Sequence, residues 1–364
     1  MIESIGEETF NFQDERFADI QLLRYRLPDF ESLTIRQKQL IYCLSQATLF
    51  GRDITFDQFG KYNLRIRKTL EAVYLNFNGD RLEHNFRALE EYLKHVWFAS
   101  GIYHHYACDK FSPLFSEDFF RNEVLAIDSK LLPLNDGESV TSLLNELCPV
   151  IFDPTILPKR VDKSEGKDIV RSSACNYYDG VSQHEVEEFY AKLKKDGPTN
   201  EAPSYGLNST LVKEGDSIRE DVWKLGGKYN AAIEKIVYWL NRAKDFVENA
   251  QQLHVINLLI RYYETGDLHD FDIYSIEWLR EQEGRIDFIN GFIEVYGDPM
   301  GLKGSWEGIV EYKDLEATHR TQAISANAQW FEDHSPVDPQ FRKAIVKGVT
   351  ANVICAAMLG GDEY

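Results

Sequence analysis

No stretch of these 364 residues stays apolar over the roughly 18 to 20 positions that would cross a bilayer. The opening MIESIGEETFNFQDERFADIQ has neither the basic lead nor the apolar run of an export signal. Basic charge is also scarce: 40 Lys and Arg stand against 59 Asp and Glu, a formal net charge of -19. A field of that sign repels phosphate backbones and anionic headgroups, which argues against nucleic acid or a membrane as partner. The five cysteines, Cys43, Cys108, Cys148, Cys175 and Cys355, form no C-x-x-C pair, so buried free thiols are expected. No G-x-G-x-x-G follows a strand-like run, and neither G-x-x-x-x-G-K-[ST] nor G-x-S-x-G occurs. Dinucleotide, P-loop and serine-esterase chemistry therefore have no anchor.

Zinc chemistry lacks its usual sequence sign as well. Two imidazoles at i and i+4 with a Glu between them would place both ligands on one helix face. The nearest string, His184-Glu185-Val186-Glu187-Glu188, ends in Glu and reads as an acidic helix start that suits the helix dipole. The adjacent His104 and His105 should point apart, and His319 and His334 stand alone, on a helix surface and in a loop.

What is present is a globular composition, 43% apolar and 27% charged, with length enough for one large core or two ordinary ones. The chain is expected to be soluble and cytoplasmic, with the periplasm as the alternative if a leader precedes it. Apolar residues recur at helical spacing after Thr34, a candidate N-cap, through Leu40, Ile41, Leu44 and Ala47, with Gly51 expected to stop the helix. Similar stripes cover Leu70 to Phe77 and Phe86 to Trp97. Residues 133 to 208 are turn-rich, with one short helix expected over Val186 to Leu193. From Lys228 to Leu279 three packed helices are expected, the second ending at Gly266 and the third capped by Asp272. Arg285 to Tyr296 and Ser305 to Tyr312 flank Gly297-Asp298-Pro299 and read as a β-hairpin with a long loop. Helix resumes from Leu315 towards Phe331, HSPVDP breaks it, and Val349 to Leu359 is an apolar run close to the last residue.

The stretch RIDFINGFIEVYGDPMGLKGSWEGIV, residues 285 to 310, resembles the segment of dipeptidyl peptidase III enzymes that carries a Glu-x-Tyr pair, an Asp-Pro turn and an aromatic strand. Five further blocks resemble bacterial members in the same order: LFGRDITFDQFGKYNLRIRKTLEAVY, SACNYYDGVSQHEVEEFY, PSYGLNSTLVK, KLGGKYNAAIEKIVYWL and HRTQAISANAQWFEDHSPVD.

That resemblance implies an α+β fold, mostly helical with a small β-barrel lobe, forming part of a two-lobed zinc metallopeptidase. Residues 1–314 would make the helix-wrapped barrel lobe, 315–350 would cross into the helical lobe, and 351–364 would begin the return. The implied substrates are oligopeptides, cut to release dipeptides from the amino end. Tyr296 would donate a hydrogen bond to the scissile carbonyl as it becomes an oxyanion. Glu294, two residues earlier and so expected on the same strand face, would pair with the free α-amine. The family's zinc motifs, H-E-x-x-G-H and E-E-x-[KR]-x-D, do not occur here. The resemblance therefore implies a missing carboxy-terminal half, no zinc bound to this chain, and no activity from it alone. The other class of function left open is a non-catalytic module that binds peptides or a protein.

Overall fold

A computed structural model describes residues 10–197, 204–346 and 352–361. The loop expected around 198–203, the start of the final apolar run at 347–351, and the two terminal segments lie outside them. The chain opens with an antiparallel hairpin, β1 (Gln13–Phe17) and β2 (Ile20–Leu23), followed by three helices, α1 (Ile35–Gln58), α2 (Asn63–Asn76) and α3 (His84–Phe98). Thr34 caps α1 as expected, in a capping box completed by Gln37.

Gly51 does not end that helix, which continues for seven more residues. The glycine is there for space: a Cβ at this position would stand 2.1 Å from the Trp306 indole, which lies flush against the helix backbone.

After α4 (Glu117–Ala126), the turn-rich region 133–208 holds more helix than the sequence suggested: α5 (Val140–Phe152), the single turn α6 (Ile169–Ser172) and α7 (Gln183–Asp196). In α5, Pro149 lies within the last turns, and Leu143, Leu144, Leu147, Cys148 and Ile151 are buried. They complete a helical core with Leu70, Val73, Leu89, Leu93 and Val96. The flanking PLNDG and DPTILPK turns had masked this helix, in which Pro149 gives up a single intrahelical N–H bond.

A short strand, β3 (Tyr178–Asp179), runs parallel to β4 (Ser209–Glu214), which forms an antiparallel hairpin with β5 (Ser217–Val222). The three expected helices follow: α8 (Asn230–Ala243), α9 (Ala250–Thr265) and α10 (Leu268–Arg280). Gly266 closes α9 in the left-handed conformation, and Asp267 caps α10 through the His269 N–H, so α10 starts earlier than Asp272 would have set.

The expected hairpin is β6 (Ile286–Glu294) with β7 (Ser305–Lys313), antiparallel along its length. The chain continues through α11 (Leu315–Ala326) and α12 (Ala328–Asp333) to β8 (Ile354–Gly360), which pairs antiparallel with β7. The fold is α+β. The strands do not close a barrel among the described residues, however. Closure needs every strand paired on both sides, whereas these strands form three separate open sheets of two, three and three strands.

The main core lies where α1, α8, α9 and the inward face of β6 and β7 meet, with Leu40, Leu44, Ile236, Leu240, Ile256, Leu259, Phe292 and Trp306 fully enclosed. Pairs of turns along α1 press a stripe of small or polar residues, Thr48, Gly51, Thr55 and Gln58, onto β7. That contact carries the core's order directly into the loop between β6 and β7.

Candidate functional site

Glu294 is the last residue of β6, and Tyr296 stands two residues on, in the turn. The strand ends at Glu294, just past a register shift where the ladder passes from Phe292–Trp306 to Glu294–Ser305. The two side chains are therefore near in sequence but do not share a strand. Both face solvent, and Tyr296 is 60% exposed.

Beneath these exposed residues the loop is fixed by buried bonds. Asp298 is 1% exposed, and its carboxylate accepts from the backbone N–H groups of Met300 (3.2 Å), Leu302 (2.8 Å) and Lys303 (2.9 Å), and from the Tyr178 hydroxyl (2.8 Å). Burial pushes this carboxyl's pKa up and the hydrogen bonds pull it back. The same burial, next to Asp298, holds the Tyr178 phenol well above its usual range. Asp298 also donates its own N–H to the Val295 carbonyl (3.2 Å). An Asp ahead of Pro, taking the N–H groups that follow it, is the local chemistry that turns a chain tightly.

The far side of the loop is held by α1 and by the loop before β4. Gln58, fully buried, donates to the Gly304 carbonyl (3.0 Å) and accepts from the Trp306 N–H (2.8 Å), while Gly304 N–H donates to Leu207 (2.8 Å). Lys303, between these anchors, has no exposed surface. Its ammonium donates to the Tyr190 hydroxyl and to Ser209 Oγ (3.1 Å), with Glu220 4.0 Å away. Both hydroxyls in turn donate to Glu220 Oε1, at 2.8 and 2.7 Å.

Sequence reading found the exposed pair and missed the platform. Lys303, a lone cation in a glycine and aromatic run, was one usable sign. The i, i+4, i+7 spacing of Gly51, Thr55 and Gln58 inside an apolar stripe was another. Tyr178, Tyr190, Ser209 and Gln58 all lie in blocks quoted above for their resemblance, and the fold brings those blocks together on this one loop.

The other candidates are brought to no common point. His184 meets Glu188 at 3.3 Å on an exposed turn of α7. His104 and His105 do not point apart: their rings stack at 4.4 Å, because the chain there turns rather than running as a helix or strand. His104 Nδ1 accepts from the Tyr106 and Ala107 N–H groups, a structural use. His334 stacks on Trp330 at 4.3 Å. All five cysteines are free thiols, with Cys43, Cys148 and Cys175 buried and Cys108 and Cys355 half-buried. Among the described residues no three His, Cys, Asp or Glu side chains are grouped so as to hold a metal ion. No described helix is long and apolar enough to cross a membrane.

Residues 183–348, which contain the whole loop, match the model of peptidase family M49. A dipeptidyl peptidase 3 of Nematostella vectensis is 22% identical over 289 residues, covering 72% of this chain and 39% of that protein. One of Dictyostelium discoideum is 28% identical over 117 residues, 32% of this chain and 17% of that protein. The solved structure of DPP III from Caldithrix abyssi superposes with a TM-score of 0.63 at 15% identity, over 92% of this chain and 50% of that one. The chain thus spans about half of that structure's length, and less of the two other relatives. A shared fold along nearly the whole chain, together with the family match over the loop, makes this chain similar to the dipeptidyl peptidase III family, peptidase family M49.

Proposed function

We propose that this chain is the substrate-gripping part of a zinc-dependent dipeptidyl peptidase, which releases dipeptides from the amino end of oligopeptides and does not turn over by itself. The observation that carries this reading is a pair of exposed side chains, Glu294 and Tyr296, on a loop anchored through the buried Asp298, Lys303 and Gln58. A carboxylate at Glu294 suits the cationic α-amine of a peptide, and the pairing would count residues from that end. A phenol at Tyr296 suits a carbonyl oxygen that gains negative charge, and it acts best when it need not reorganise.

The metal and its water would, in this reading, belong to another part of the enzyme. In this reading residues 1–314 form the lower lobe, 315–350 cross towards the helical lobe, and 351–364 begin the return. Exposed apolar side chains along the crossing segment, Ile324, Trp330, Phe341 and Ile345 among them, fit a stretch that is covered in the whole enzyme.

The test compares this chain with a version extended by a family member's second half, for zinc content and for dipeptide release from a fluorogenic substrate. Only the extended form should bind stoichiometric zinc and turn over. There, Tyr296→Phe should lower kcat by roughly 10²–10³-fold with zinc retained, and Glu294→Gln should weaken binding of substrates with a free amine. Turnover by the 364-residue chain, or full activity in the phenylalanine variant, would overturn the reading.

A further inference from the structure

Lys303 is the point at which the loop's internal bonds join its external ones. Its N–H is held by Asp298 and its side chain by Tyr190 and Ser209. Asp298 in turn reaches back to the Val295 carbonyl, one residue before Tyr296. An unbroken series of contacts therefore runs from α7 and the β4–β5 hairpin, through one lysine and one aspartate, to the peptide unit that carries the tyrosine.

We propose that Lys303 is a positioning residue for Tyr296, its buried head group fastening the loop to α7 and the β4–β5 hairpin and so setting how the tyrosine is presented. The assignment rests on the role given to Tyr296 above. A buried ammonium is costly, and a methionine would fill similar volume without that cost. Here the ammonium faces the carboxylate of Glu220 only at 4.0 Å. It is aimed by two hydroxyls, both oriented by Glu220, and it lies over the rings of Tyr190 and Tyr178 at 4.7 and 5.6 Å. Directional bonds fix the loop's angle in a way that apolar packing would not. Burial lowers the lysine's pKa to about 8 against the pull of Glu220 and Asp298, which gives the clamp a signature of its own. The groups facing it are Tyr178, Tyr190, Glu220 and Asp298.

Two measurements decide it. The first is hydrogen exchange of the 295–304 amides in the intact chain. Lys303→Met should speed that exchange about tenfold while α9 keeps its protection, and the milder Tyr190→Phe and Ser209→Ala should each speed it about threefold. If Lys303→Met does not fold, the two volume-conserving variants carry this arm. Opening the loop returns the ammonium to water, where it binds a proton more readily. Loop protection in the parent should therefore grow above pH 8, by up to about tenfold per pH unit, and Lys303→Met should lack that growth. Unchanged exchange in all the folded variants overturns the clamp.

The second measurement is a double-mutant cycle in the extended enzyme. Lys303→Met should lower kcat with KM held, and should lower it no further in a Tyr296→Phe background. Additive losses would mean that Lys303 does not act through Tyr296. If Tyr296→Phe alone changes nothing, the catalytic reading of Tyr296 falls, and the exchange arm alone decides the clamp.

Discussion

Two parts of this molecule carry exposed aromatic side chains and are built in opposite ways. The loop from Val295 to Gly304 rests on residues with almost no solvent contact, Asp298, Lys303 and Gln58, each making several directed bonds. The arm from Leu315 to Val346 has only Thr318 buried among its described residues. Its order comes from surface bonds, chiefly Arg342 donating to the carbonyls of Asp333, Ser335 and Val337 at 2.7 to 3.0 Å. An exposed tyrosine on the first support is held in place by the core. Exposed Trp330 and Phe341 on the second share only their local neighbours' order. Exposure alone therefore does not mark a site, and what lies beneath the side chain decides its use.

Mutations can break or sharpen that contrast. The largest effect is expected for Asp298→Ala, which strands the Tyr178 hydroxyl and three N–H groups in a buried place. Urea unfolding should show a loss of roughly 3–5 kcal/mol. Gly51→Ala comes next, since the new methyl overlaps the Trp306 ring and neither the helix nor the strand can retreat easily. About 2 kcal/mol of destabilisation is expected in the same assay, with near-ultraviolet circular dichroism reporting the displaced indole.

A pH effect follows from Lys303. Its folded-state pKa, about 8, lies below the ordinary 10.5, so between those values the folded chain binds fewer protons than the unfolded one. Stability should rise with pH across that window, on the order of 1 kcal/mol per unit at most, and level off below about 8 and above 10.5. The difference between parent and Lys303→Met, read by chemical denaturation at pH 7.5 and 9.5, isolates it. The smallest change is expected from Ile345→Ser on the arm, which should shift stability by under about 0.5 kcal/mol and mainly improve solubility, seen by light scattering. A large loss there would show that the arm belongs to the cooperative core, and the contrast would fail.

Much of the fold was legible because its signals are local. Thr34, Gly266 and the Gly297-Asp298-Pro299 turn act within a few residues, and the period of the apolar stripe in α8 needs no partner to be read. The errors share one cause. Gly51 looked like a stop because a glycine's reason for being there, an indole 255 positions further on, is invisible along the chain. The α5 helix was hidden by prolines and turns at its flanks. The barrel failed because strand closure depends on pairing between distant strands rather than on any strand's own pattern. At the candidate site, the exposed pair Glu294 and Tyr296 was named by resemblance, while the platform of Tyr178, Tyr190, Ser209, Glu220 and Lys303 beneath it draws on four separate elements and the loop itself. Such convergence leaves no spacing rule in sequence.

The glycine in the middle of α1 has one further consequence. Gly51 and Gln58 lie seven positions apart, two turns, so they share a face, and the indole that docks on the first fixes the rotation at which the second arrives at the loop. The helix serves as a measuring rod with its zero at the tryptophan. Adding or removing a single residue between those points would swing the glutamine by about 100° around the axis, leaving the core's composition intact while the loop lost its calibration.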